Sequence, residues 1–184
     1  MWRRYLLLVK VCLLNERKRH KMNTLIIYDS TFGNTAQIAL AMAERLGEHA
    51  TVRTALATEV DLTEMKEIDL LLVGGPTQRH GVSPAMRTLL KSFPRRSLRG
   101  VSAAAFDTRY HMDAWKSGSA AHRIASRLKR TGVLLIMPPE SFFVTQREGP
   151  LEDGELERAA RWAEEIFERF ETSRSVQQDT AEVR

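Results

Sequence analysis

Met22 to Phe170 reads as an α/β domain: a doubly wound, five-stranded parallel sheet with helices on both faces. Short β-rich runs alternate with stretches of helical periodicity, the pattern of strand–helix–strand crossovers. Several runs are apolar at every position, as parallel strands buried between two helix layers must be. With 184 residues, 43% of them hydrophobic, the chain can fill one sizeable core, and no repeat or linker divides it.

The alternation begins at Asn23. Leu25-Ile26-Ile27-Tyr28 is the first strand, followed by an Asp29–Asn34 turn and a helix striped by Ile38, Ala41, Met42 and Leu46. Thr51-Val52-Arg53-Thr54 is a weaker strand suited to a sheet edge. Asp61–Glu67 is a short helical connection, and Leu70-Leu71-Leu72-Val73 is the next buried strand. Ser83 caps a helix that starts on Pro84 and carries Met86, Leu89, Leu90 and Phe93 on one face.

Val101–Phe106 is the fourth strand, its alanines leaving room for close helix packing. Ile124 and Leu128 stripe a helix that stops near Gly132, and Val133-Leu134-Leu135-Ile136 is the fifth strand. Pro138 to Leu151 reads as a long excursion packed over the sheet end. Asp153 is expected to cap the last helix, with Leu156, Ala160, Ala163, Phe167 and Phe170 facing inward. The domain is thus 22–171, and 172–184, polar and without apolar period, reads as a disordered tail.

Charge is unevenly placed. Residues 1–21 hold seven Lys/Arg against Glu16, whereas 22–184 hold 21 basic and 22 acidic residues. The domain is near neutral, so a sequence pI of about 9.7 gives no reason to expect a nucleic-acid partner. The leader lacks the clean apolar stretch and small-residue cleavage site of a signal peptide. Its Trp2, Tyr5, Leu6, Val9 and Leu13 share a helical face, which allows a basic segment touching a membrane surface. The favoured reading leaves 1–21 outside the domain, with Met22 as the working start. A single cysteine, Cys12, points to the reducing cytoplasm.

In doubly wound sheets ligands bind beyond the carboxyl ends of the strands. The first strand delivers Ser30-Thr31-Phe32-Gly33-Asn34-Thr35 directly into a helix. Hydroxyls, a permissive glycine and the free amides of a helix start make a phosphate cradle. The loop has no Gly-Lys-Ser/Thr and no G-x-G-x-x-G, which excludes a P-loop nucleotidase and disfavours a dinucleotide fold. A phosphomonoester held by neutral donors fits better. The third strand delivers Gly74-Gly75-Pro76-Thr77-Gln78-Arg79-His80-Gly81, read as a sharp stiff turn, and the fourth delivers Phe106-Asp107-Thr108-Arg109-Tyr110-His111. Ser117-Gly118-Ser119 lacks the context of a nucleophile elbow. The third strand does not end in the aspartate of a response regulator. His20, His49 and His122 have no metal-ligand spacing and are expected to face solvent.

These three loops together resemble the flavodoxin family, in its short-chain form, and the likeness runs from about Met22 to Phe170. The resemblance implies strand order 2-1-3-4-5 and FMN as cofactor. In that family a Ser/Thr-x-Thr-Gly-x-Thr loop holds the FMN phosphate. Ser30, Thr31, Gly33, Asn34 and Thr35 match it, while Phe32 replaces a threonine, removing one hydroxyl but no backbone N–H. Gly75-Pro76-Thr77 matches the second loop, which implies that Pro76, Thr77, Gln78, Arg79, His80 and Gly81 lie along the flavin. Phe106, Asp107, Thr108, Arg109 and Tyr110 stand at the third loop. Tyr110 is the candidate to stack on the flavin ring and Trp115 a second one. Phe106–Arg109 together with Pro138–Phe143 and Glu148–Leu151 points to a prokaryotic subgroup of the family.

The function implied is electron transfer by an FMN-bound carrier rather than a turnover enzyme, with a redox protein or small-molecule acceptor as partner. Two alternatives stand beside it: an FMN-dependent NAD(P)H:quinone-type reductase, and a flavin-less interaction domain that keeps the fold. No catalytic residue and no metal site is assigned. Arg79, His80, Arg109 and His111, set against Asp107, lead one to expect a less acidic flavin surround than the family's, and so a less negative potential.

Overall fold

The computed structural model describes residues 21–112 and 118–182. Elements follow in the order β1 (Asn23–Tyr28), α1 (Asn34–Gly47), β2 (Thr51–Leu56), a 3-10 segment (Leu62–Glu67), β3 (Leu70–Pro76), α2 (Pro84–Ser92), β4 (Ser102–Tyr110), α3 (Ala120–Leu128), β5 (Leu134–Leu135), β6 (Glu140–Val144) and α4 (Glu155–Glu182). The sheet runs β2-β1-β3-β4-β5 with every pair parallel, and β6 also pairs with β4. The parallel pairing is that of the sequence pattern, and the strand order is the one the resemblance implies.

The fifth strand departs from expectation. β5 pairs with the start of β4 (Ser102↔Leu134, Ala103↔Leu135), and β6 pairs with its end, from Phe106↔Glu140 to Tyr110↔Val144. The two share one position in the sheet, interrupted around Pro138-Pro139, which donate no N–H to a ladder and fix φ. Glu140–Val144 is therefore strand rather than part of an excursion. β4 accordingly extends to Tyr110, so Asp107 to Tyr110 belong to a strand end rather than to a loop.

β6 forms a sheet edge whose free backbone groups are covered. Phe143 N–H donates to Glu155 Oε2 at 2.7 Å, Glu152 N–H donates to the Phe143 carbonyl at 2.9 Å, and the Arg158 guanidinium donates to the Ser141 carbonyl. This edge is thereby closed to pairing with another chain. Arg158 also pairs with Glu140 and Glu155. Partial burial disfavours its charge, but those two carboxylates outweigh it and raise the guanidinium above its ordinary value.

Alternate residues of each central strand feed two cores. Leu25, Ile27, Leu71, Val73, Ala103 and Ala105 pack under α2 and α3 against Met86, Leu90, Ile124 and Leu128. Ile26, Leu70, Leu72, Ala104 and Phe106 pack under α1 and α4 against Ile38, Met42, Trp162 and Ile166. Ser83 Oγ accepts from Met86 N–H at 3.2 Å, with Pro84 opening α2. Gly132 takes a left-handed φ of 91° after α3, as its expected stop requires.

Three expectations are corrected on the α4 side. The inward stripe of α4 is Ala159, Trp162, Ala163, Ile166 and Phe170, whereas Leu156 is 40% exposed. No capping bond from Asp153 is formed, and Arg158 N–H instead closes the first turn on the Gly154 carbonyl at 2.9 Å. Helix continues through 172–182, where a tail was expected. His49 is half-buried, stacked on Phe167 at 4.3 Å with Nε2 3.3 Å from Glu164 Oε2. His122 is exposed as expected, while His20 and Trp115 lie outside the described residues, as do 1–20 of the leader. No helix among the described residues is long and apolar enough to cross a membrane.

Candidate functional site

The carboxyl ends of β1, β3 and β4 bring the three sequence-identified segments together. Gly33 caps α1 with φ 87°, a left-handed conformation natural to glycine. Ala36 N–H donates to Ser30 Oγ at 3.3 Å and Gln37 N–H to the Gly33 carbonyl at 3.0 Å. The amides of Phe32, Gly33, Asn34 and Thr35 have no acceptor among the described residues. A Cβ built at Gly33 would meet nothing within 4 Å, so this turn opens outward. Four free amides around an open glycine at a helix start make an anion cradle.

Not every side chain of that loop faces outward. Asn34 donates from Nδ2 to the Glu148 carbonyl at 3.0 Å, with Gly149 so close that a Cβ there would lie 2.5 Å from Asn34 Oδ1. Thr35 is 1% exposed, its Oγ1 2.7 Å from Thr108 Oγ1. These two side chains lock α1 to the 148–149 segment and to β4. Thr31 and Phe32 are exposed, and Gln78 Nε2 donates to Thr31 Oγ1 at 2.9 Å, joining the first loop to the second.

The second segment folds differently from the turn expected. Gly74, Gly75 and Pro76 continue β3, and the reversal comes at Gln78–Gly81, whose backbone groups exchange bonds of 2.8 and 2.9 Å. Arg79 and His80 occupy its centre with φ 45° and 63°. Left-handed backbone at two consecutive non-glycine residues costs about 1 kcal/mol or more each and needs support. Gly118 supplies it: this residue bridges His80, and a Cβ there would lie 2.5 Å from the His80 carbonyl oxygen.

Beneath this turn lies a buried carboxylate. Asp107, 0% exposed, accepts at Oδ2 from Thr77 Oγ1 (2.9 Å), Ser119 Oγ (2.8 Å) and Ala121 N–H (2.9 Å). Thr77 Oγ1 in turn accepts from Ala120 N–H at 2.8 Å. Asp107 Oδ1 has no hydrogen-bond partner and faces Arg109 Nε at 3.9 Å. The carboxylate thus fastens the second loop to the first turn of α3. Ser119 and Ala121 were missed in the sequence, although Ser119 at a helix start is a legible cap.

The third segment is divided by strand alternation. Phe106 is 0% exposed, edge-on to Phe142 and Trp162, so it belongs to the core and not to a ligand surface. Arg109 donates from Nε to Ser141 Oγ at 3.0 Å and from its guanidinium to the Tyr110 and Met112 carbonyls, and lies 5.2 Å from the Phe143 ring centre. His111 stacks on that same ring at 4.2 Å and meets Glu152 at 3.1 Å. Arg109 and His111 are engaged along β6, so they do not stand as free charges over the loops. Tyr110 remains 42% exposed at the strand end.

The flavodoxin family model matches residues 26–162. The chain belongs to the flavodoxin family. No curated protein sequence matches it. Among solved structures this flavodoxin-family domain is similar to oxidised flavodoxin 1 from Bacillus cereus, with TM-score 0.69 and 18% identity over 79% of this chain and 97% of that one. It is also similar to a flavodoxin from the domain Archaea (TM-score 0.63, 23% identity, 82% and 99% covered). A third similarity is to rubredoxin oxygen:oxidoreductase from Desulfovibrio gigas (TM-score 0.65, 20% identity), where it covers 82% of this chain but 36% of that one. At these identities the likeness speaks for the fold. No cluster of metal-ligating side chains occurs among the described residues of the domain.

Proposed function

We propose that this flavodoxin-family domain binds FMN at the β1–α1 turn and serves as an electron carrier in the cytoplasm. The observation that carries the reading is the cradle: four amides without acceptors around Gly33, at the positive end of α1, open to an outside anion. Ser30 and Thr31 add hydroxyls beside it. Phe32, 45% exposed, contributes its amide and leaves the phosphate one hydroxyl poorer than the family pattern.

When bound, the flavin supplies the electron-accepting and electron-donating chemistry. The chain holds and shapes its surroundings. Pro76, Thr77, Gln78 and the Arg79–His80 turn border the cradle, held there by Asp107 and Gly118. Tyr110, exposed at the end of β4, is the side chain suited to cover one ring face. Thr35, Thr108 and Asn34 act by fixing the first loop, and Gly81 by closing the second.

Gly33→Val tests the cradle. A β-branched residue at φ 87° is strained, and its methyl groups would occupy the open side of the turn. The variant is expected to purify folded, with its circular dichroism retained, but without the visible absorbance of FMN that the parent protein carries. Retention of one FMN per chain by the variant would remove the cradle as the phosphate site.

A further inference from the structure

The near-neutral charge of residues 22–184 conceals an uneven distribution along the chain. Residues 76–134 hold 12 Lys/Arg against two acids, Asp107 and Asp113, while 22–75 and 135–184 together hold nine basic and 20 acidic residues. Asp107 is buried and Asp113 lies outside the described residues. In the fold, 76–134 build α2, α3 and their flanking turns on one face of the sheet, which they share with the acidic 59–69 segment packed through Val60, Leu62, Met65 and Ile68, whereas α1 and α4 cover the other.

Nine of the basic side chains, among them Arg79, Arg87, Lys91, Arg96, Arg123 and Arg130, are exposed, and none has a carboxylate within ion-pair distance among the described residues. On the opposite side Arg45–Glu164, Arg158–Glu155 and Arg174–Glu171 form ion pairs, while Arg161 and Arg169 are exposed with no ion pair among the described residues.

Fold stability does not account for this pattern. Lys91 and Arg127 lie in the last turns of α2 and α3, where a cation complements the helix dipole. Arg87 and Arg123 stand one turn from the helix starts, at the end the dipole makes unfavourable to cations, and neither helix has an acid in its first turn. Each also faces a like charge four residues on, Arg87 with Lys91 and Arg123 with Arg127, which costs a few tenths of a kcal/mol per pair. A helix surface arranged for stability alone would interleave acids.

The basic face reaches the candidate site. Arg79 stands in the left-handed turn itself, and Arg123 lies so near Gly81 that a Cβ there would be 3.3 Å from its Nε. At the other end of the face, Arg96 N–H donates to the Arg130 carbonyl at 3.3 Å, joining the two basic turns into one cluster. Along α3 alone the face runs about 14 Å. None of the exposed large hydrophobics, Phe32, Leu40, Tyr110, Met112, Leu134 or Leu156, lies on α2 or α3. A patch of unpaired charge without apolar anchors forms fast, salt-sensitive, short-lived complexes, as a carrier that must dissociate after each transfer requires.

We infer that the α2/α3 face, from Arg79 and Arg87 to Arg96 and Arg130, is the docking surface for an acidic redox protein. This partner assignment rests on the electron-carrier reading and names the chemistry of the protein that exchanges electrons with the site.

The test uses the full-length chain, an acidic two-iron ferredoxin as probe, and association followed by NMR titration, with bound FMN read separately from absorbance. Expected are shifts concentrated on α2, α3 and the 79–81 turn, and a Kd that rises about tenfold or more between about 20 and 200 mM salt. The Arg87→Glu, Lys91→Glu double variant should weaken association about tenfold or more while its FMN absorbance stays that of the parent. Shifts confined to α1 and α4, no association at low salt, or a double variant that binds like the parent would each overturn the assignment. So would tighter binding to phosphatidylglycerol vesicles or duplex DNA than to the ferredoxin, because a phosphate polyanion would then be the ligand. Association without bound FMN would leave the surface standing and remove the carrier reading; FMN without association does the reverse.

Discussion

Asp107→Ala is expected to destabilise the domain by about 3 kcal/mol or more, one of the largest losses available to a single substitution here. The carboxylate is fully buried and receives hydrogen bonds from Thr77, Ser119 and the amide of Ala121. Alanine would leave those three donors without an acceptor in the protein interior, and each unmet buried donor costs about 1–3 kcal/mol. Some relief is available, because Ser119 Oγ also accepts from His122 N–H and Thr77 Oγ1 from Ala120 N–H, so both hydroxyls keep one partner. Asp107→Asn retains an acceptor oxygen of the same reach and should lose clearly less. Urea unfolding of both variants measures the difference. A loss under about 1 kcal/mol in the alanine variant would show that the tie between the second loop and α3 holds by packing alone.

Central strands were legible because burial on both faces leaves little choice of residue: Leu25–Tyr28 and Leu70–Val73 stand out as unbroken apolar runs, and the structure buries both. Ser83-Pro84 marked the start of α2 for the local reason that a hydroxyl cap and a proline each suit only that place. Less was visible where tertiary pairing overrides local pattern. Asp107 to Tyr110 look like loop residues, yet they extend β4 because Glu140–Val144 lies alongside to pair with them. The α4 stripe was misjudged at Leu156, which fits a helical period as well as Trp162 and Ile166 do, and only packing on Phe106 and Phe142 selects Trp162.

At the candidate site, the open turn before α1 was legible in the sequence but the orientation of its side chains was not. Ser30, Thr31 and Gly33 stand around the free amides of that turn. Asn34 turns to a carbonyl 114 positions along the chain, a contact no local pattern announces. Arg109 and His111 likewise appear free in sequence and are engaged by Phe143, Ser141 and Glu152 in three dimensions. Arg79, by contrast, is left exposed on the supported turn without a carboxylate beside it among the described residues. Net charge was the most misleading quantity. A sum near zero over 22–184 is compatible with interspersed charges or with a basic patch offset by acids elsewhere, and only the packing of α2 and α3 on one face of the sheet distinguishes them.

Gly74→Ala should destabilise by about 3 kcal/mol although it adds a single methyl group. Gly74 lies in β3 directly opposite Phe106 of β4, and a Cβ built on it would fall against three carbons of the Phe106 ring. Its φ lies outside the left-handed region, so the cost is steric rather than conformational. That ring has nowhere to go: it is fully buried, edge-on to Phe142 and Trp162, with ring centres 6.3 and 6.4 Å away. Interiors packed to crystal density answer such an insertion with off-rotamer side chains or a shifted strand. Gly75 provides the internal control. One residue along the same strand, its Cβ would find Asp29 and Met86 at 3.8 and 3.9 Å, ordinary contact distances. Gly75→Ala should therefore lie within about 1 kcal/mol of the parent, helped by the lower chain entropy of alanine when unfolded. If the Phe106 ring is the obstacle, Phe106→Leu should recover part of the loss in the Gly74→Ala background, giving a favourable coupling between the two positions in a double-mutant cycle. Strictly additive losses would mean that strand displacement, and not this ring, is what the methyl group provokes.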